Sequence, residues 1–201
     1  MPSEQEPQTY KYTQFNTLND KIDETLLNSR RLFFCDAVDN ESARDAIRKL
    51  WYLEITAPGK PILFIINSPG GAIDSGFAIW DQVKMITSPV TTLVTGLAAS
   101  MGSILSLCAA PGRRFATPYA RFMIHQPSIN AIVKGQATDL EIHAKEIMYL
   151  RGRLNTILAH HTGKTAEEID RDTERDNFMS ADQSVAYGMI DKVIANRTDA
   201  A

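Results

Sequence analysis

Thr92-Leu-Val-Thr-Gly-Leu-Ala-Ala-Ser-Met-Gly-Ser-Ile-Leu-Ser-Leu-Cys108 passes from one kind of secondary structure to another around a single serine. Val90 to Val94 alternate β-branched and apolar side chains, as a buried strand does. Gly96, Ala98, Ala99, Gly102 and Ser103 are small, and Ile104, Leu105, Leu107 and Cys108 then follow as a buried helix would. Ser100 therefore falls where a strand turns into a helix, with little bulk on either side. Small neighbours let the backbone turn sharply and let a substrate approach, which is the setting of a nucleophile elbow. Helix N–H groups behind such a serine favour a developing oxyanion. A packing contact between helix and sheet would use the same small residues, so this stretch alone leaves both readings open.

Upstream, Pro61-Ile-Leu-Phe-Ile-Ile-Asn67 is continuously apolar, as for a strand covered on both faces. Ser68-Pro-Gly-Gly71 follows as a turn, and then a helix from about Asp74 to Ile86. Asp39 to Leu53 reads as a helix, with Asp39 or Asn40 as its cap. The stretch around Leu32-Phe33-Phe34, after Arg30-Arg31, reads as a strand. Strand–helix alternation at this spacing implies βαβ crossovers and a largely parallel sheet. Arg114-Phe-Ala116 and Arg121-Phe-Met-Ile-His-Gln-Pro127 are two short further strands. From Thr138 to about His161 runs a helix of roughly 24 residues, about 36 Å long at 1.5 Å per residue. That exceeds what so small a core needs, and a helix protruding toward another subunit is one physical use for it. Thr165 to about Arg171 is a short helix, Ser180-Ala-Asp-Gln183 opens another through a capping box, and Met189 to Ala195 is a last strand. The organisation expected is a flexible N-terminal arm over residues 1–19, one domain over 20–196 and a polar tail over 197–201.

The 201 residues, 44% hydrophobic and 22% charged, suit one globular core, and a net charge of −3 gives no basic surface for nucleic acid. No apolar run reaches the roughly 18 residues of a membrane span, and the acidic start Met-Pro-Ser-Glu-Gln-Glu-Pro does not resemble a signal peptide. Cys35 and Cys108 lie in apolar runs without metal or disulfide spacing, so both are expected as buried free thiols in a reducing cytoplasm. No HExxH or comparable spacing suggests a metal, and Ser68-Pro-Gly-Gly71 is neither GxGxxG nor a P-loop, so no cofactor is expected.

A serine nucleophile needs a base in reach, and the base needs an orienting group. Of four histidines, His160 and His161 fall at the C-terminal end of the long helix, where cations complement the dipole. His143 sits among charged residues on the same helix. His125 ends a strand just before Pro127, a placement typical of catalytic groups, although a satisfied core histidine would sit there too. Gly70-Gly71 could bring backbone N–H groups near a substrate carbonyl, or simply make a tight turn. Spacing does not select an acid among Asp170-Arg-Asp-Thr-Glu-Arg-Asp176, a run that reads by default as a solvated face.

Ser68-Pro-Gly-Gly71, Gly96-Leu-Ala-Ala-Ser-Met-Gly102, Met123-Ile-His-Gln-Pro127, Gly135-Gln-Ala-Thr-Asp-Leu-Glu-Ile-His-Ala144 and Asp172-Thr-Glu-Arg-Asp176, in that order, resemble the motif set of ClpP, the proteolytic component of ATP-dependent Clp proteases. The resemblance runs from about Arg31 to Ile194. It implies an α/β fold of the ClpP/crotonase type, a ββα superhelix with a mainly parallel sheet and a protruding handle helix from Thr138. It implies Ser100 as nucleophile, His125 as general base, Asp176 as orienting acid, and the N–H groups of Gly71 and Met101 as the oxyanion hole. It further implies a serine endopeptidase that hydrolyses unfolded polypeptides, two seven-membered rings closing a barrel, contact between rings near Glu174 and Arg175, and an AAA+ Clp unfoldase as partner. Two departures stand out. Residues 1–28 do not match the family's start, which touches pore gating and unfoldase engagement, and the loop Ser128 to Lys134 is longer than the family pattern. The unusual start motivates an alternative, a regulatory or structural subunit of a mixed barrel that needs a paralogous ClpP partner. A crotonase-like acyl-CoA enzyme shares the Gly-rich turn but does not need the three side chains.

Overall fold

The computed structural model describes residues 17–128, 136–196 and 199. The expectations for residues 1–16, for the loop over 129–135 and for the tail apart from Asp199 lie outside the described residues. Among the described residues the elements run α1 (Leu18–Asn28), β1 (Arg31–Phe34), α2 (Asn40–Thr56), β2 (Ile62–Ser68), α3 (Ile73–Met85), β3 (Val90–Ala99), α4 (Met101–Ser106), β4 (Arg114–Ala116), β5 (Arg121–Ile124), α5 (Ala137–Thr162), α6 (Ala166–Asp172), β6 (Asn177–Ser180), α7 (Ala181–Tyr187) and β7 (Lys192–Val193).

One sheet holds the strands in the order β1-β2-β3-β4-β7, with β5 pairing to β3 and β6 pairing to β5. Every pairing is parallel except β5 with β6. This is the mainly parallel α/β class expected from the strand–helix alternation, and β2 and β3 are as buried as their apolar runs require. Phe64, Ile66, Val94, Leu105, Leu107 and Phe122 sit in one core with Leu50 of α2 and Ile79 of α3.

Local chemistry sets most helix starts. Asp39 caps α2 by accepting the Glu41 and Ser42 N–H groups at 2.9 and 2.8 Å. Thr165 and Ser180 open α6 and α7 through capping boxes. The expected arm gives way earlier than residue 19, because Thr17 and Asp20 form a capping box that starts α1 at Leu18. The sequence reading passed over this helix, whose N3 residue is Asp rather than the usual Glu or Gln.

Helix α5 is longer than expected, 26 residues from Ala137 to Thr162, and only Leu154 and Leu158 of it are buried. Leu140, Ile142, Met148 and Tyr149 on its first half are exposed. The helix thus stands out from the core, as its length implied. Among the described residues, no helix is long and apolar enough to cross a membrane.

Two expectations fail for physical reasons. Cys108 is buried, and burial pushes its thiol up to about 12, but Cys35 is exposed. Side chains alternate along β1, so Phe34 faces the core while Phe33 and Cys35 face outward. His161 is not a helix-end cation either. Its ring packs edge-on against Trp80 at 5.5 Å and against His160 at 5.0 Å. Burial, with the Lys84, His160 and Arg114 charges nearby, holds its imidazole down to about 4. Between that value and the ordinary 6.5, the unfolded chain binds a proton that the folded one refuses. The stability this residue contributes is therefore complete above pH 6.5 and is lost as pH falls toward 4. Urea unfolding at pH 7.5 and 4.5 checks this: His161→Gln should narrow the gap between the two midpoints, and an unchanged gap would refute the assignment.

Candidate active site

Ser100 lies between β3 and α4, with φ 52° and ψ −121°. A non-glycine residue there costs on the order of 1–3 kcal/mol and persists only where its surroundings hold it. They do so through the Ser100 N–H, which donates to the Met123 carbonyl of β5 at 2.8 Å, and the Ser100 carbonyl, which accepts the Ser103 N–H at 3.0 Å and the Ser103 hydroxyl at 2.6 Å. The Ser100 hydroxyl caps no helix N–H. It projects from a strained turn, as an elbow requires.

Strand register brings the other groups to it. In the parallel pair, Ala99 of β3 stands opposite Met123 of β5, so the chain after β5 passes Ser100. In the antiparallel pair, Ile124 of β5 stands opposite Asn177 of β6. One step further along both chains sets His125 opposite Asp176. His125 Nε2 lies 2.8 Å from Ser100 Oγ, and His125 Nδ1 lies 3.2 Å from Asp176 Oδ1. The Asp176 contact favours a proton on Nδ1, which leaves Nε2 free to accept from the serine hydroxyl. The His125 side chain is 23% exposed and the Asp176 side chain 61%, so the acid end of this chain of contacts is wet. Two bonds from Gln126 to backbone carbonyls hold the segment carrying Asp176. The Gln126 N–H donates to the Thr173 carbonyl at 2.7 Å, and Gln126 Nε2 donates to the Glu174 carbonyl at 3.1 Å.

Gly70 and Gly71 form the opposite wall. The Val38 N–H donates to the Gly70 carbonyl at 2.9 Å, and the Ala72 N–H donates to the Val38 carbonyl at 2.7 Å. A parallel bridge of this kind uses the groups on either side of Gly71 and leaves its own N–H pointing away from Val38. A Cβ on Gly70 would stand 2.5 Å from the Ala99 carbonyl oxygen and 2.8 Å from the Met101 nitrogen, so only glycine lets this loop close on the elbow. Met101 is the first residue of α4, and its N–H has no carbonyl a turn behind it. Neither the Gly71 nor the Met101 N–H has a partner among the described residues.

These residues surround a cleft of about 290 Å³. Ser100, His125, Gly71 and Met101 line it together with the apolar side chains of Ile73, Ile104, Leu154 and Leu158. Among the described residues, the five site residues expected from sequence are thus brought together, while His143, His160 and His161 are not part of the cleft. Leu154 and Leu158 are not marked as site residues by the sequence, because nothing local shows which face of a long helix meets a cleft. They are the two buried positions of α5, where the helix meets the core.

The arrangement can take a proton from a hydroxyl, hold the resulting cation and offer N–H groups to an oxyanion. The Clp protease family model matches residues 15–197 of the chain. ATP-dependent Clp protease proteolytic subunit 1 of Protochlamydia amoebophila is 65% identical over 175 residues, covering 87% of this chain and 85% of that protein. The protein of the same name from Chlamydia muridarum is 58% identical over 182 residues, covering 90% and 95%. That from Chlamydia abortus is 56% identical over 184 residues, covering 92% and 96%.

Proposed function

The chain belongs to the Clp protease family, and on that premise we propose that Ser100, His125 and Asp176 are the relay with which it cleaves peptide bonds, with Gly71 and Met101 as the oxyanion hole. Membership makes it a serine-type endopeptidase, a proteolytic subunit that assembles into an oligomer and associates with Clp ATPases. The observation that carries the assignment of residues is the 2.8 Å contact of His125 Nε2 with Ser100 Oγ, backed by Asp176 on the other ring nitrogen.

The chemistry follows in order. An unfolded polypeptide lies extended across the cleft, held by main-chain hydrogen bonds that tolerate sequence. His125 takes the Ser100 proton as Oγ attacks the scissile carbonyl. The oxyanion forms against the Gly71 and Met101 N–H groups; one such donor typically supplies about 3 kcal/mol in the transition state. Asp176 keeps the imidazole oriented and stabilises the imidazolium. His125 then protonates the leaving amine, an acyl-enzyme remains on Ser100, and water activated by the same imidazole releases the second product.

The apolar lining gives this reading a specificity. A residue seated against Ile73, Ile104, Leu154 and Leu158 gains by burial about 1.5–3 kcal/mol when it is Leu, Met or Phe. Fluorogenic peptides ending in those residues before the reporter should therefore show kcat/KM about 10- to 100-fold above the Asp-ending peptide. Equal values across the series would remove the cleft from the substrate path.

The finer assembly we propose is two seven-membered rings joined through α5, with the serines enclosed, so that a sequence-tolerant protease meets only threaded chains. Native mass spectrometry tests it: a fourteen-subunit mass is expected, and a monomer at all concentrations and salts would contradict it. A mixed barrel with a paralogous subunit would appear in the same spectrum, from barrels isolated from their own cells, as two subunit masses. An ATP-driven partner needs nucleotide, which argues for the cytoplasm as the site of action.

A further inference from the structure

Strand β3 changes partners midway. Its first half pairs with β4 through Thr92–Val94, and its second half pairs with β5 through Leu97–Ala99. The change coincides with a break in its register against β2. There β2 advances from Ile66 to Ser68 while β3 advances from Val94 to Ala98, so β3 carries extra residues in a bulge. Gly96, at φ +70°, lies in it. A bulge takes backbone N–H groups out of the ladder, and they need another acceptor. The Leu97 N–H finds it in the side chain of Asn67, donating to Oδ1 at 3.0 Å. A Cβ on Gly96 would stand 2.7 Å from that oxygen, so glycine both makes the turn and leaves room for the amide.

Asn67 thus substitutes one side-chain bond for a missing rung, at the point where β3 bends toward the site. Three residues beyond Leu97 is Ser100. One residue beyond Asn67 is Ser68, buried, whose hydroxyl donates to the Asp36 carbonyl at 2.6 Å and accepts the Gly70 N–H at 3.2 Å. Asn67 therefore ties together the strand that delivers the nucleophile and the strand that delivers the Gly70-Gly71 loop, just before each reaches the cleft.

We infer that Asn67 is a positioning residue for the hydrolysis: through Leu97 it sets the distance between the Ser100 hydroxyl and the Gly71 N–H. The inference rests on Ser100 being the nucleophile. It requires a loss in kcat rather than in KM, because the groups being aligned act on the transition state. A misplacement of about 1 Å can cost about a hundredfold. It also requires rescue by any side chain that restores an acceptor at the same reach.

The test compares Asn67→Ala, Asn67→Leu and Asn67→Asp in the assembled enzyme, with a short fluorogenic peptide and with the rate at which a fluorophosphonate labels Ser100. We expect kcat and the labelling rate to fall about 10- to 100-fold in the Ala and Leu variants, KM to change less than about threefold, and Asp to stay within about threefold of the parent. Parent-like kcat in the Leu or Ala variant, a loss confined to KM, or an Asp variant as slow as Leu would each overturn the inference. If the first two variants fail to assemble, the Asp variant decides alone: activity within threefold supports the acceptor role and a tenfold loss refutes it. Should the fluorophosphonate leave Ser100 unlabelled in the parent, the nucleophile assignment fails. Equal labelling of Ser100 in parent and Asn67→Leu defeats only the role of Asn67.

Discussion

Replacing Ser100 with alanine should lower kcat for peptide hydrolysis by at least about 10⁴-fold and leave oligomer assembly intact. The size follows from removing the only atom that bonds to the acyl group; comparable removals in serine proteases cost on the order of 10⁶-fold. Assembly should survive because the Ser100 hydroxyl touches His125 and caps no helix. His125→Ala should cost about as much by itself, because an unassisted hydroxyl is a poor nucleophile at neutral pH. The double variant should then be no slower than either single one, since the two groups act as a unit. Steady-state rates on one fluorogenic peptide, with native mass as a control, check all three. Costs that multiplied in the double variant would mean that the two residues work independently, which their contact forbids.

The next largest effect belongs to the glycine loop. Gly71→Ala should cut kcat by about 10²- to 10³-fold, the loss typical of one oxyanion donor. Gly71 has φ +149°, and a Cβ built on it would lie 2.2 Å from the Val38 carbonyl oxygen. That oxygen already accepts the Ala72 N–H, so the loop must move away from Val38 and carry the Gly71 N–H with it. Gly59 and Gly112 supply the comparison. Both have positive φ, but a Cβ there meets nothing within 4 Å. Alanine at either should cost only the left-handed backbone penalty of about 1–2 kcal/mol in stability and leave kcat unchanged. If Gly71→Ala matched those two in kcat, the oxyanion role of Gly71 would be lost.

How much of this was legible in the sequence depends on how local each signal is. The elbow was legible because small residues crowd between a β-branched run and an apolar helix around Ser100. The long helix was legible as one run from Thr138 to about His161, and its protrusion from its length. His125 stood out because it ends a strand just before a proline. Asp176 did not, since its place depends on the pairing of β5 with β6. That strand, Asn177-Phe-Met-Ser180, is short, has two apolar residues and follows a charge run, so no local pattern announces it. Only the family resemblance singled out the acid. The rung supplied by Asn67 was equally hidden, although Gly96 inside a strand pattern is a known sign of a bulge. Cys35 and His161 were misread for one reason. Burial was inferred for the first from its neighbours and a charge complementing the dipole for the second from its helix end, and neither reading could see which face each residue takes in the packed structure.

The central claim, that Ser100 attacks the peptide carbonyl, is tested most directly by mapping a fluorophosphonate adduct in the assembled enzyme while following residual activity. A single adduct on Ser100, with activity falling in proportion to its occupancy, is the predicted result. Full inactivation with the adduct on another residue, or full occupancy of Ser100 with hydrolysis undiminished, would contradict it.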